Sequence, residues 1–147
     1  MTSLFSARQL DGIVAELKIE EGFRAHCYKC PAGKHTIGFG RNIDEAGGLG
    51  ITEDEALDLL ENDVYRSVAG ARRTWHWFDT MNASRQSVLV QLVFQMGLTK
   101  VRTFRKMIAA LDSDNPDYDL AAAELLDSKF ARQVPQRAER LARQLRN

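Results

Sequence analysis

Between Phe23 and Asn42 the chain mixes aromatic and β-branched residues with Pro31, Gly33, Gly38 and Gly40. A continuous helix is excluded there, because proline removes a backbone donor and glycine weakens a helix interior. The Pro31-Ala32-Gly33 turn and the run Thr36-Ile37-Gly38-Phe39-Gly40 instead predict a small twisted hairpin or three-stranded sheet. No other stretch reads convincingly as β. The expected fold is therefore α+β and predominantly helical.

Helical periodicity surrounds this segment. Leu10, Ile13, Val14 and Leu17 recur at helical spacing, so residues from about Ser6 to Glu21 read as a first amphipathic helix that Gly22 breaks. After a loop of Gly47, Gly48 and Gly50, Thr52 and Glu55 form a capping box for a long helix through about Arg73. That helix is expected to bridge two lobes. Asn82, Asn115 and the Val134-Pro135 step look like further helix starts, with Pro116 and Pro135 at first-turn positions where a missing N–H costs nothing. Two apolar stripes, Leu89, Leu92, Val93 and Met96, then Phe104, Met107, Ile108 and Leu111, suit helices of one core. The organisation expected is one catalytic domain over 1–147: an N-terminal lobe of about 1–55, a linking helix of about 53–73 and a helical lobe of about 74–147.

The 147 residues, 44% hydrophobic and 27% charged, suit a compact globular enzyme. Twenty basic and twenty acidic residues cancel, so net charge predicts no polyanion partner. Their distribution is uneven. Asn42 to Tyr65 carries eight acidic residues and no Lys or Arg, whereas Lys129 to Asn147 carries six basic residues against Glu139 alone. The basic C-terminus reads either as a solvated helix face or as a contact for anionic envelope polymers. The N-terminus lacks a basic-then-apolar secretory pattern, and Val88 to Phe94 is far too short for the about 20 residues of a membrane span. Two cysteines three positions apart suggest synthesis in a reducing compartment rather than a disulfide framework.

The chemistry concentrates in Glu21 to Arg41, EGFRAHCYKCPAGKHTIGFGR, where a carboxyl, a thiol and a hydroxyl surround one tight turn. Eight residues separate Glu21 from Cys30 and five separate Cys30 from Thr36. This segment resembles the T-even type of phage muramidase, whose signature is Glu, eight residues, Asp or Cys, five residues, Thr, then Ile-Gly-x-Gly. The resemblance continues in Phe94-Gln95-Met96-Gly97 and in Ser128 to Arg137, and so covers most of the chain.

The resemblance implies a two-lobed lysozyme-like fold with a cleft between the lobes. It also implies a phage endolysin that cuts the β-1,4 bond between N-acetylmuramic acid and N-acetylglucosamine with inversion. Glu21 is then the acid that protonates the leaving oxygen, and Cys30 with Thr36 handles the attacking water. A glutamate that holds a proton at neutral pH needs partial desolvation, and Ile19 and Phe23 are expected to cover Glu21. Cys30 stands where the family usually has Asp, and a positive neighbour, Lys29 or Lys34, is expected to favour its thiolate. Thr36 has a hydroxyl that both donates and accepts, held by a β-branch on a strand. Arg137 aligns with a family arginine that approaches the catalytic glutamate. Asn42 and Phe94 match positions that bind sugar, while Met107 and Glu124 fall where polar uncharged residues are expected. No cofactor or metal is expected. The partner is peptidoglycan, with no nucleic acid and no stable membrane insertion, and the protein is expected to be a monomer held in the host cytoplasm until a holin opens the inner membrane.

Two non-enzymatic readings compete. His26, Cys27, Cys30 and His35 put four potential zinc ligands within ten residues, although His26 adjoins Cys27 directly and no second half-site follows. Lys100, Arg102, Arg105, Lys106 and the C-terminal arginines could instead form a phosphate-contacting face, against which the neutral overall charge argues.

Overall fold

The structure is a computed structural model that describes residues 6–147. Two compact units divide the chain, residues 1–56 and residues 57–147, with the boundary inside the first turns of the long helix.

The first unit holds α1 (Ala7–Glu21), β1 (Arg24–Lys29), β2 (His35–Gly38), β3 (Arg41–Asn42) and the start of α2 (Glu53–Thr74). Ser6 caps α1, accepting from the Gln9 amide at 3.2 Å while the Gln9 side chain accepts from the Ser6 amide at 2.8 Å. That reciprocal pair satisfies two donors a helix start otherwise leaves free. Gly22 ends the helix with φ +66, a conformation L side chains rarely adopt. Leu10, Ile13, Val14 and Leu17 share one side of α1, and no residue of this helix is buried.

The three strands form an antiparallel sheet in the order β1-β2-β3. Tyr28 faces Thr36 and Lys29 faces His35, while the register shifts between Arg24 and Tyr28. At the β1–β2 turn the Gly33 amide donates to the Cys30 carbonyl at 2.7 Å and the Cys30 amide to the Lys34 carbonyl at 2.9 Å. Gly33, at φ +76, supplies the left-handed residue that such a bulged turn needs.

Two acids of the negatively charged segment tie the loop after β3 to the sheet. The Asp44 carboxylate accepts from the His35 backbone amide at 3.0 Å, from the Ala46 amide at 2.9 Å and from His35 Nδ1 at 2.9 Å. These donors hold its carboxyl far below the ordinary range, the His35 backbone amide contributing most. Arg41 reaches Glu55 at 2.8 Å and donates to the Gly50 carbonyl at 3.1 Å. Glu55 is also the acid of the α2 capping box: its carboxylate accepts from the Thr52 amide at 3.2 Å and its amide donates to Thr52 Oγ1 at 3.1 Å. Its carboxyl is lowered first by Arg41 and then by Thr52. A single glutamate thus fixes both the start of α2 and the end of the sheet.

The second unit is helical: the rest of α2, α3 (Ala83–Met96), α4 (Leu98–Val101), α5 (Arg105–Leu111), α6 (Tyr118–Leu126), α7 (Lys129–Gln133) and α8 (Pro135–Arg146), with a short 3-10 turn at Phe78–Thr80. Leu89 and Leu92 of α3 are fully buried with Val88, and around them lie Leu111, Leu125, Leu141 and Leu145. Each such side chain contributes about 1.5–3 kcal/mol of burial free energy. Ala121 and Ala122 on α6 and Ala138 and Ala142 on α8 are all wholly buried, and these small residues let the two helices pack closely. The arginines of α8 lie outside this packed face. Arg85 closes the end of α8 by donating from Nε to the Leu145 carbonyl at 2.7 Å, with its guanidinium 3.4 Å from the Tyr118 ring centre.

Two helix boundaries differ from expectation. The helix predicted from Asn115 begins at Tyr118, because Asp117 accepts from the Leu120 amide at 3.0 Å and takes the cap; Pro116 precedes it. The second apolar stripe starts outside its helix, since Phe104 stands just before α5. Asn82 and Val134-Pro135 do start helices. Among the described residues no helix is long and apolar enough to cross a membrane.

Replacing Thr52 with Ala removes one half of the α2 capping box and is expected to cost about 1 kcal/mol, read as a lowered urea midpoint with an unchanged slope.

Candidate active site

Glu21 is the last residue of α1, and its carboxylate lies against the backbone of Gly40. Any side chain at position 40 would overlap that carboxylate, and Gly40 also stands at φ +71. The glycine therefore serves twice, as turn residue and as the seat of an acid. The expected apolar cover is absent. Ile19 is 82% exposed, Phe23 is 66% exposed, and Glu21 itself is exposed. Phe23 turns instead onto Phe39, with ring centres 5.5 Å apart, and Lys18 Nζ lies 5.8 Å from the same Phe39 ring. Helix periodicity cannot foresee this, since Phe23 lies past Gly22 and its direction is set by the turn.

Cys30 closes the β1–β2 hairpin and is half-buried. Its thiol lies below the ordinary value of 9.0, chiefly because the Lys34 backbone amide donates to the sulfur. The Ala32 amide, the Thr36 hydroxyl and the Cys30 amide add to this, and partial burial opposes it. The expected positive neighbour acts through its backbone rather than its ammonium, for Lys34 Nζ donates to the Ala46 carbonyl at 3.2 Å. Residue types could not show this. Donors converge on the sulfur only once the five-residue turn has closed.

Thr36 is 4% exposed, one of two buried polar residues among those described, and its Oγ1 donates to the Lys34 carbonyl at 2.9 Å. A hydroxyl has one proton. Donating to a Cys30 thiolate means leaving that carbonyl, whereas a neutral thiol can itself donate to Oγ1. Thr36 and Cys30 therefore share a proton-dependent hydrogen-bond arrangement. Glu21, Cys30 and Thr36 all belong to the first unit, the glutamate against Gly40 and the other two at the β1–β2 turn.

Asn42 is on β3, paired with Thr36 in register, and its side-chain oxygen accepts from the Asp44 amide at 2.9 Å. Its amide nitrogen makes no hydrogen bond among the described residues. In the second unit, Phe94 is 45% exposed on α3, outside the row of Leu89, Leu92 and Val93 that fills the core. Arg137 is half-buried on α8 and lines an open cavity with Arg140, Arg143 and Gln91. A larger groove of about 910 Å³ is lined by Gln95, Met107, Glu124, Lys129 and Phe130, among others. It brings together Met107 and Glu124, which stand far apart in sequence. The zinc alternative finds no support in geometry: among the described residues no three His, Cys, Asp or Glu side chains come together as ligands.

The phage lysozyme family matches residues 18–143, a span that contains the α1 glutamate, the hairpin and nearly all of the helical unit. The chain belongs to the phage lysozyme family. It is a lysozyme, a hydrolase of bacterial peptidoglycan with an α+β lysozyme-like fold. It is similar to Probable T4-type lysozyme 2 of Dictyostelium discoideum, at 27% identity over 85% of this chain and 88% of that protein. Probable T4-type lysozyme 1 of the same organism is 24% identical over the same shares.

The lowered thiol has a sign that can be checked in this lysozyme. A group whose folded value lies below its unfolded one is more ionised in the folded state, so Cys30 should react with iodoacetamide with a pH midpoint below that of the unfolded chain. Unfolding in urea should raise that midpoint, and Thr36→Val should raise it part of the way. A midpoint unchanged by unfolding would remove the proposed donors from the sulfur.

Proposed function

We propose that this lysozyme is a muramidase that cleaves the β-1,4 bond between N-acetylmuramic acid and N-acetylglucosamine with inversion, and that it acts as a phage endolysin in host lysis. The observation that carries the reading is the hairpin turn itself, where backbone amides lower the thiol of half-buried Cys30 and the buried Thr36 hydroxyl donates to the Lys34 carbonyl of the same turn. In the proposed step Glu21 protonates the leaving glycosidic oxygen as the bond to the anomeric carbon breaks. Because its own surroundings leave Glu21 exposed, the desolvation this acid needs has to come from the bound sugar. Thr36 orients a water, the Cys30 thiolate accepts its proton, and the water oxygen bonds the anomeric carbon from the opposite face.

The thiolate replaces the more usual carboxylate as base. At neutral pH a carboxylate is fully ionised, whereas a thiol must be assisted, and the amides of Lys34 and Ala32 supply that assistance here. Gly40 keeps room for the Glu21 carboxylate at the end of α1. Asn42 and Phe94 are proposed sugar contacts, through the free amide nitrogen of one and the exposed ring of the other. Arg137 is proposed as support outside the proton transfer, since a cation beside Glu21 would favour its ionised form. No cofactor takes part in the proposed step.

For the lytic role, we place the protein in the host cytoplasm as a monomer until a holin opens the inner membrane. The reading rests on the sequence signature. The Dictyostelium relatives show that similar chains also occur in an amoeba.

A mutant series tests the mechanism on purified sacculi. Glu21→Gln is expected to abolish release of muropeptides with the circular dichroism unchanged, Cys30→Ser to reduce it at least tenfold, and Cys30→Asp to retain much of it. A Cys30→Ser protein as active as the parent sinks the thiolate base. Inversion is tested separately: the first-formed reducing sugar, followed by NMR before mutarotation, should be the α-anomer, and a β-anomer would mean retention.

A further inference from the structure

Four cations fall within seven residues at the α4–α5 corner: Lys100, Arg102, Arg105 and Lys106. The segment from Gly97 to Leu111 contains no acid to balance them. Three of them, Lys100, Arg105 and Lys106, line the groove of about 910 Å³ in the second unit, where Lys129 adds a fourth positive charge. Within this unit and among the described residues, none of these side chains is within 4.0 Å of a carboxylate; the ion pairs there are Arg66–Asp63, Arg72–Asp79 and Arg146–Asp119.

The placement also runs against local preference. Arg105 and Lys106 are the first two residues of α5, which has no acid in its first turn. Cations at a helix start oppose the helix dipole. Where a chain breaks such a rule without local compensation, a functional reason is the first to test.

The groove floor is apolar. Met107 and Phe130 are buried, and Met96 and Phe104 are half-buried beside them. Glu124 and Asp127, near and just past the end of α6, line the same groove. The occupant this suits has ionised acid groups, small apolar side chains and an ammonium. A uniformly polar polyol phosphate would leave the Met and Phe floor unused. A short acidic peptide carried on the glycan strand has all three features.

We propose that the Lys100, Arg105 and Lys106 rim of this groove reads ionised carboxylates of the peptide attached to the glycan, and so makes the lysozyme selective for walls with free rather than amidated peptide carboxyls. A carboxylate offers the rim two acceptor oxygens and opposite charge, whereas a primary amide keeps one acceptor oxygen, replaces the other with an NH2 donor and carries no charge. Lys100, Arg105 and Lys106 are exposed, so each charge pairing is weak by itself and the discrimination is their sum along the rim. The proposal rests on the chain's being a peptidoglycan hydrolase, and it does not depend on which residues perform the cleavage.

The test compares three walls: native sacculi, sacculi whose peptide carboxyls are converted to amides with carbodiimide and ammonia, and glycan stripped of peptide by an amidase. The parent protein should cut native wall at least tenfold more efficiently than amidated wall, with the difference in KM rather than kcat. The triple variant K100Q/R105Q/K106Q should cut both alike and should match the parent on stripped glycan. A second measurement needs no cleavage: NMR titration with the free tetrapeptide L-Ala-D-Glu-L-Lys-D-Ala should shift the Met96 and Met107 methyl signals of the parent. Those shifts should be lost with the amidated peptide and in the triple variant. Equal parental rates on native and amidated wall, or a preference that survives in the variant, would overturn the proposal, as would peptide shifts indifferent to amidation. Inactivity on every wall with the peptide shifts intact would overturn the hydrolase reading instead.

Discussion

The closed turn from Cys30 to Lys34 is the constraint on which the proposed chemistry depends. Two backbone hydrogen bonds, Gly33 to Cys30 and Cys30 to Lys34, set the path of the chain. That path leaves the Lys34 and Ala32 amides available to the sulfur and the Lys34 carbonyl available to the Thr36 hydroxyl. The donors are main-chain groups with no rotamer freedom of their own, so their field at the sulfur is fixed in advance of any ligand. A lysine ammonium would have supplied charge with far less positional certainty, and here it is committed to the Ala46 carbonyl. In the proposed step, backbone preorganisation is what lets a thiol serve as the base.

The acidic segment that makes the sequence look electrically divided is partly structural. Asp44 and Glu55 spend their carboxylates on amides and on Arg41, and together they fasten the loop between sheet and α2. Both are stabilised as anions, so what they contribute is present above their unfolded values and fades as pH falls and the carboxylates protonate. The basic C-terminal run is partly structural in the same sense. Its register places Ala138, Leu141, Ala142 and Leu145 inside, and the arginines take what is left of the helix circumference. By contrast, Lys100, Arg105 and Lys106 at the α4–α5 corner have no such account, and the proposed reading of peptide carboxylates is assigned to the groove they line.

The first unit is held mostly by polar and conformational devices: a capping box, glycines in left-handed turns and carboxylates on backbone amides. The second is held by apolar packing between helices. This difference follows from what each can bury. The short sheet buries Thr36 but no large apolar side chain, whereas α3, α6 and α8 together bury a set of leucines and alanines.

Local signals carried much of this into the sequence. Thr52 with Glu55, Asn82, Val134-Pro135 and the Pro31-Ala32-Gly33 turn all act over three or four residues, and such interactions are legible because their partners are fixed by spacing. The spacing of Glu21, Cys30 and Thr36, with Ile-Gly-x-Gly after them, identified the family. The start of α6 was misplaced because Asn115 and Asp117 are both good caps, and only the packed helix selects between them. Tertiary structure alone decided that Phe23 leaves Glu21 uncovered, that Gly40 seats its carboxylate, that Lys34 assists Cys30 through its amide and that Met107 and Glu124 share a groove. Each of these depends on where a backbone group or a ring points after the chain has turned, and direction is not encoded in residue type.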